Sequence, residues 1–197
     1  MAFLDTLVVE PLPPAFDAGG FDCGERDLTD YLCDGSAARD QAANVSRTYL
    51  VKSEGQLVGY FSILADALTL AVKERPPDCS YSSAPALKLG RMAVAKEFRR
   101  RDVGPWILKA VVGIARQMAR TVGLRYVTLD ALPADSLVGW YERYGFVRNE
   151  GQERRQRILR KEFGSVALAE PLPTVSMRLD ILTQARETDA RALLDGA

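Results

Sequence analysis

Leu89-Gly90-Arg91-Met92-Ala93-Val94 leads through Ala95-Lys96-Glu97-Phe98 into Arg99-Arg100-Arg101-Asp102-Val103, and Gly104-Pro105 then opens a run with apolar residues at Ile107, Leu108, Val111, Val112, Ala115, Met118 and Ala119. The first piece reads as a strand over Leu87 to Val94, the basic piece as a loop, and the three-and-four spacing as a helix that Gly123 stops. Proline suits a first helical position because its missing N–H would have had no partner inside the helix. A strand passing through a basic loop into a helix is a physical recipe for holding a pyrophosphate. The first amides of a helix are unpaired, and its dipole places partial positive charge at that end.

Working outward, Leu7 to Leu12 reads as a short edge strand ended by Pro11, Pro13 and Pro14. Leu28, Tyr31 and Leu32 and, less regularly, Ala38 and Ala42 mark one or two helices on either side of Gly35. Thr48 to Lys52 and Gln56 to Leu64 read as a hairpin turned at Glu54-Gly55, followed by a connector containing Pro76, Pro77 and Pro85. Downstream, Arg125 to Ala131 reads as a strand, Ser136 to Tyr144 as a short helix after Pro133, and Gly145-Phe146-Val147 as the start of another strand. Arg148 to Lys161 carries six basic and two acidic residues and is expected to be an exposed helix or a mobile loop. Thr174 to Leu182 alternates as a last strand, and Thr183 to Leu194 as a surface helix. The alternation predicts a mixed α/β (α+β) domain over residues 1–182, with 148–173 an insertion or extended loop and 183–197 a helix or tail.

Composition narrows the chemistry. The chain has 197 residues, 26 Lys plus Arg against 26 Asp plus Glu, three cysteines and no histidine. Without imidazole there is no Ser-His-Asp triad and no common His-containing zinc site. Cys23, Cys33 and Cys79 form no CxxC pair, so neither a metal site nor a disulfide framework is expected, and a reduced cytoplasmic protein is. No apolar run approaches the roughly 20 residues of a membrane span, and Met1 to Glu10 lacks a basic leader. The zero net charge hides an asymmetry. Met1 to Asp30 holds one basic and seven acidic residues, whereas Lys88 to Arg125 holds ten basic and two acidic.

Three pieces in order, Leu89 to Val94, Arg99 to Gly104, and Trp140-Tyr141-Glu142-Arg143-Tyr144-Gly145-Phe146, resemble the GNAT family of N-acetyltransferases. Upstream, Phe21-Asp22-Cys23-Gly24, Ser46-Arg47-Thr48 and Gly59-Tyr60 resemble the branch that contains bacterial tRNA-acetylating toxins. The resemblance implies a central, mixed, splayed sheet flanked by helices, with acetyl-CoA as acyl donor. It implies that the strand edge at Met92, Ala93 and Val94 pairs with the pantetheine arm. It likewise implies that Arg99, Arg100, Arg101, Asp102, Val103, Gly104 and Pro105 hold the pyrophosphate. In the family pattern Arg/Gln-x-x-Gly-x-Gly/Ala, Arg99 and Gly104 match, but Asp102 stands where glycine is expected, and a carboxylate there opposes a phosphate. The resemblance assigns Tyr141 as general acid toward the leaving thiolate, a task that a phenol with an ordinary pKa near ~10 can perform. Implied partners are an amine acceptor, with aminoacyl-tRNA as one alternative, a protein antitoxin and a second copy of the chain; no membrane is implied.

Asp66, Asp130, Asp135 and Glu142 are the carboxylates available as general base, and their spacing selects none. A site lacking histidine suits an α-amine, whose pKa near ~7.7–8 leaves it partly neutral at pH 7, better than a lysine near ~10.4. Cys23 has no basic neighbour nearer than Arg26 and reads as a packing or turn-fixing residue. Asp102 and the unassigned base also motivate a separate alternative, a non-catalytic acyl-CoA-binding module.

Overall fold

The computed structural model describes residues 3–163 and 174–183. Strands are β1 (Leu7–Pro11), β2 (Arg47–Ser53), β3 (Gln56–Thr69), β4 (Ser83–Val94), β5 (Tyr126–Ala131), β6 (Val147–Arg148) and β7 (Val175–Asp180). Helices are α1 (Arg26–Cys33), α2 (Ser36–Ala42), α3 (Val103–Met118), α4 (Asp135–Arg143) and α5 (Glu150–Phe163). The strands form a seven-stranded sheet in the order β1-β2-β3-β4-β5-β7-β6. This is the mixed α/β class that the alternation predicts. No described helix is long and apolar enough to cross a membrane.

The chain divides into two compact units, one within Met1–Ala65 and Lys88–Gly113 and the other within Asp66–Leu87 and Ile114–Ala197. In the first, β1 and β2 pair antiparallel with Leu7 opposite Ser53, and β2 and β3 with Thr48 opposite Ser62. Residues two apart on a strand share a face, so Leu50 and Tyr60, also opposite each other, lie on the face of Thr48 and Ser62. Tyr60 is fully buried, and its hydroxyl donates to the Leu28 carbonyl at 2.6 Å, tying α1 to that face. Ile107 and Val111, one turn apart on α3, are likewise fully buried.

In the second unit, β5 and β7 pair antiparallel from Tyr126–Asp180 to Ala131–Val175, and β6 adds Val147 opposite Arg178. Leu68, Leu70, Ala84, Ala86 and Tyr126 form one buried cluster. Two strands run further than expected. β3 continues to Thr69, and β4 starts at Ser83, taking in Pro85 from the presumed connector; its carbonyl accepts the Arg125 N–H at 3.1 Å. Proline lacks a donor but keeps this acceptor, which is why a strand can accommodate it there.

The charged stretch expected as helix or loop is the helix α5. Its start is built by a residue far upstream. The Glu74 carboxylate accepts the Glu150 and Gly151 N–H groups at 2.9 Å each, satisfying two amides that a helix leaves open. The same carboxylate pairs with Arg178 at 2.6 Å, and the two side chains are 6% and 11% exposed. Burial alone would raise the Glu74 pKa. The Ala71 and Gly151 amides, the Arg178 charge and the Glu150 amide together outweigh it and hold the carboxyl below its ordinary value. The surface helix expected over Thr183 to Leu194 lies outside the described residues from 184 onward.

Candidate functional site

The basic loop belongs wholly to the first unit. β4 ends at Val94, a single 3-10 turn spans Lys96–Phe98, and α3 begins at Val103. The Asp102 carbonyl accepts the Trp106 N–H at 3.1 Å and so closes the first helical turn. Asp102 has φ 58° and Arg100 φ 61°, the left-handed conformation that favours glycine. The position that departs from the family pattern is therefore one whose backbone still takes the glycine-like shape. Aspartate is among the few side chains that tolerate it.

The three consecutive arginines are not equivalent. The Arg99 guanidinium turns back and donates to the Cys23 carbonyl. Arg101 lies 5.5 Å above the rings of both Phe3 and Phe98, which stack on each other at 5.7 Å. All three arginines, and Asp102 with them, are exposed at the mouth of α3. Exposed cations beside the first amides of a sixteen-residue helix fit a pyrophosphate.

The upstream segment Phe21–Gly24 packs against this loop. Lys96 pairs with Asp22 at 2.6 Å, the Lys96 N–H donates to the Asp22 carbonyl at 3.0 Å, and the other Asp22 oxygen accepts the Gly24 N–H at 2.7 Å. The Lys96 hydrogen bond and the Gly24 amide hold the Asp22 carboxyl below its ordinary pKa. Gly24 has φ +83°, and a Cβ there would lie 2.9 Å from both the Arg99 guanidinium and the Lys96 Cε. Cys23 behaves as a turn-fixing residue. It is 2% exposed, its N–H donates to Thr29 Oγ1 at 3.2 Å and its thiol to the Glu25 carbonyl at 3.4 Å.

On β4, Ala93 is buried while Met92 and Val94 are partly exposed. Gly59 of β3, to which its place in the sequence assigns no role, sets how near β3 lies to β4. A Cβ at Gly59 would stand 2.5 Å from the Ala93 carbonyl oxygen and 3.4 Å from the Val94 Cα. Only a residue without a side chain lets β4 lie so close at this point. The Ala95 N–H donates to the Val58 carbonyl at 2.9 Å, just past the same place.

Tyr141 lies in the second unit, on α4, with Val138 on the same buried face. Its ring meets Phe146 edge-on at 5.7 Å and Trp140 at 4.9 Å, and its carbonyl accepts the Tyr144 and Phe146 N–H groups. Burial pushes its pKa up to about 12, so the phenol holds its proton at neutral pH. Among the carboxylates considered as base, Asp66 accepts the hydroxyl of buried Thr128 at 2.6 Å, and Glu142 lies 3.6 Å from Arg148. Asp135 sits in the first turn of α4, where a negative charge complements the helix dipole.

Residues 44–148 match the family model for an acetyltransferase (GNAT) domain. The chain is 28% identical over 137 residues to a tRNA-acetylating toxin of Mycobacterium tuberculosis, covering 67% of this chain and 79% of that protein. Among solved structures it is similar to AtaT complexed with acetyl-methionyl-tRNAfMet, with TM-score 0.66, 21% identity and coverage of 78% of this chain and 98% of that one. It is also similar to AtaTR bound with AcCoA, with TM-score 0.67, 19% identity and coverage of 91% and 96%.

Proposed function

The chain belongs to the GNAT acetyltransferase family, and on that premise we propose that it transfers acetyl from acetyl-CoA to the α-amine of an aminoacyl-tRNA in the cytoplasm. Support for the donor comes from the loop itself. Arg100 and Arg101 are exposed at the start of α3, and the first amides of that helix can take the pyrophosphate. Met92 and Val94 offer strand backbone to the pantetheine arm. Support for the acceptor comes from the likeness to a toxin that acetylates tRNA. The absence of histidine agrees with it, since an α-amine needs less help to lose its proton than a lysine does.

In this reading the neutral amine nitrogen attacks the thioester carbonyl carbon and forms the C–N bond. The C–S bond then breaks with its electron pair going to sulfur. Tyr141 gives its proton to that sulfur, and the proton lost by the amine passes through water to restore the phenol. A protein antitoxin is the further partner in this reading, supported by the likeness to an AtaT toxin bound to the C-terminus of the antitoxin AtaR.

A transfer assay with radiolabelled acetyl-CoA over charged tRNAs, peptides and polyamines tests the reading. Label on aminoacyl-tRNA alone supports it. Label on peptide or polyamine with none on tRNA overturns the acceptor, and no thermal stabilisation by acetyl-CoA overturns the donor.

A further inference from the structure

The Asp22-Cys23-Gly24 turn touches the basic loop at two residues spaced as the loop requires. Asp22 takes Lys96 by both its side chain and its carbonyl, and the Cys23 carbonyl takes the Arg99 guanidinium. Gly24 has no Cβ where one would meet the Arg99 guanidinium and the Lys96 Cε at 2.9 Å each. The turn is itself anchored, since the Cys23 amide and thiol are bonded to Thr29 and Glu25 at the start of α1. The contacts bridge 74 and 76 residues of chain. They fall on the loop just before its two left-handed residues, Arg100 and Asp102, where the backbone must be held in an uncommon shape.

We propose that Arg99 and the Asp22–Gly24 turn are positioning residues of the pyrophosphate loop: Arg99 acts by fixing the loop to the Cys23 carbonyl and not as an anion ligand, and Asp22 holds Lys96 for the same purpose. This rests on the acetyl-CoA reading above. A carboxylate beside an anion site lowers affinity by repulsion, and it competes with phosphate for Lys96. A positioning role gives it the opposite sign. Pre-organising a loop removes an ordering cost that the ligand would otherwise bear on binding.

The sign decides the experiment. Acetyl-CoA affinity is measured by titration calorimetry for the full chain, for Asp22→Ala and for Gly24→Asn, with the melting temperature of each protein without ligand. Asn tolerates a positive φ, so Gly24→Asn keeps the fold and every existing charge while placing a Cβ against Arg99 and Lys96. Both variants are expected to bind about fivefold more weakly, with unchanged KM for the acceptor and ligand-free melting within a few degrees of the parent. Tighter or unchanged binding by Asp22→Ala means that the carboxylate only repels the anion, and it overturns the proposal. Unchanged binding by Gly24→Asn does the same. Failure of the parent itself to bind acetyl-CoA overturns the donor reading and this proposal with it.

Discussion

Gly59 and Ala93 meet so closely that a single methyl group cannot be placed between them: a Cβ on Gly59 would stand 2.5 Å from the Ala93 carbonyl oxygen. Backbone cannot swing aside as a flexible side chain can, so Gly59→Ala must displace β4 where Met92 and Val94 are partly exposed, the edge proposed for the pantetheine arm. We expect acetyl-CoA affinity to fall at least about tenfold and stability by about 1–3 kcal/mol, the usual cost of overpacking. Calorimetric titration and urea unfolding check the two effects separately.

Tyr141→Phe keeps the ring contacts with Phe146 and Trp140 and removes only the hydroxyl proposed as proton donor. The expected result is a loss of about 10²–10⁴-fold in kcat with acetyl-CoA affinity preserved. The Tyr141 pKa is raised to about 12, so its contribution to stability is complete below the ordinary value of 10.0 and is lost as pH rises toward 12. Accordingly kcat should show no alkaline fall from this group below about pH 11, and the fall in stability between pH 10 and 12 should be smaller in Tyr141→Phe. A pH series of kcat and of melting temperature measures both.

Arg178→Met leaves the Glu74 carboxylate buried without its cation. Breaking a buried pair in this way costs about 3–5 kcal/mol, here with the start of α5 loosened as well. Because the Glu74 pKa is below its ordinary 4.5, the stability it supplies is full above that value and disappears as pH falls through the lower, folded value. Urea unfolding at pH 7 should show the loss in Arg178→Met, and a series from pH 6 downward should show the parent losing this contribution only below about pH 4.5.

Asp102→Gly removes a carboxylate from the mouth of α3 and restores the residue that φ 58° favours. Acetyl-CoA should bind about three- to tenfold more tightly, one unit charge of repulsion being worth about 1 kcal/mol in water at close range. Melting temperature should change little, since relief of the left-handed strain is offset by a more flexible unfolded chain and by loss of a negative charge near the helix start. Weaker binding by the variant would show that Asp102 assists the cofactor.

Most element positions were legible because they depend on local signals. Alternation marked β7, the Glu54-Gly55 turn marked the β2–β3 hairpin, three-and-four spacing marked α3, and Gly-Pro marked its start. Arg148 to Lys161 was not, because its polar composition suits a solvated helix and a loop equally. The choice was made by Glu74, whose carboxylate reaches the amides of Glu150 and Gly151 across 76 and 77 residues. The extension of β4 through Pro85 was hidden for a similar reason. Proline reads locally as a connector, and only its carbonyl bond to Arg125 shows a strand.

By itself the sequence determined the alternating element order, the basic strand–loop–helix unit, the family motifs and, through the missing histidine, a chemistry left to tyrosine, carboxylates and water. Tertiary structure alone decided what each member of those motifs touches. Arg99, Arg100 and Arg101 are the same residue three times in a row, yet one is bonded to Cys23, one takes a left-handed backbone, and one lies over Phe3 and Phe98. Spacing along a chain specifies which side chains can share a face of their own helix or strand. It carries no signal for the partner that another segment, dozens of residues away, brings against them.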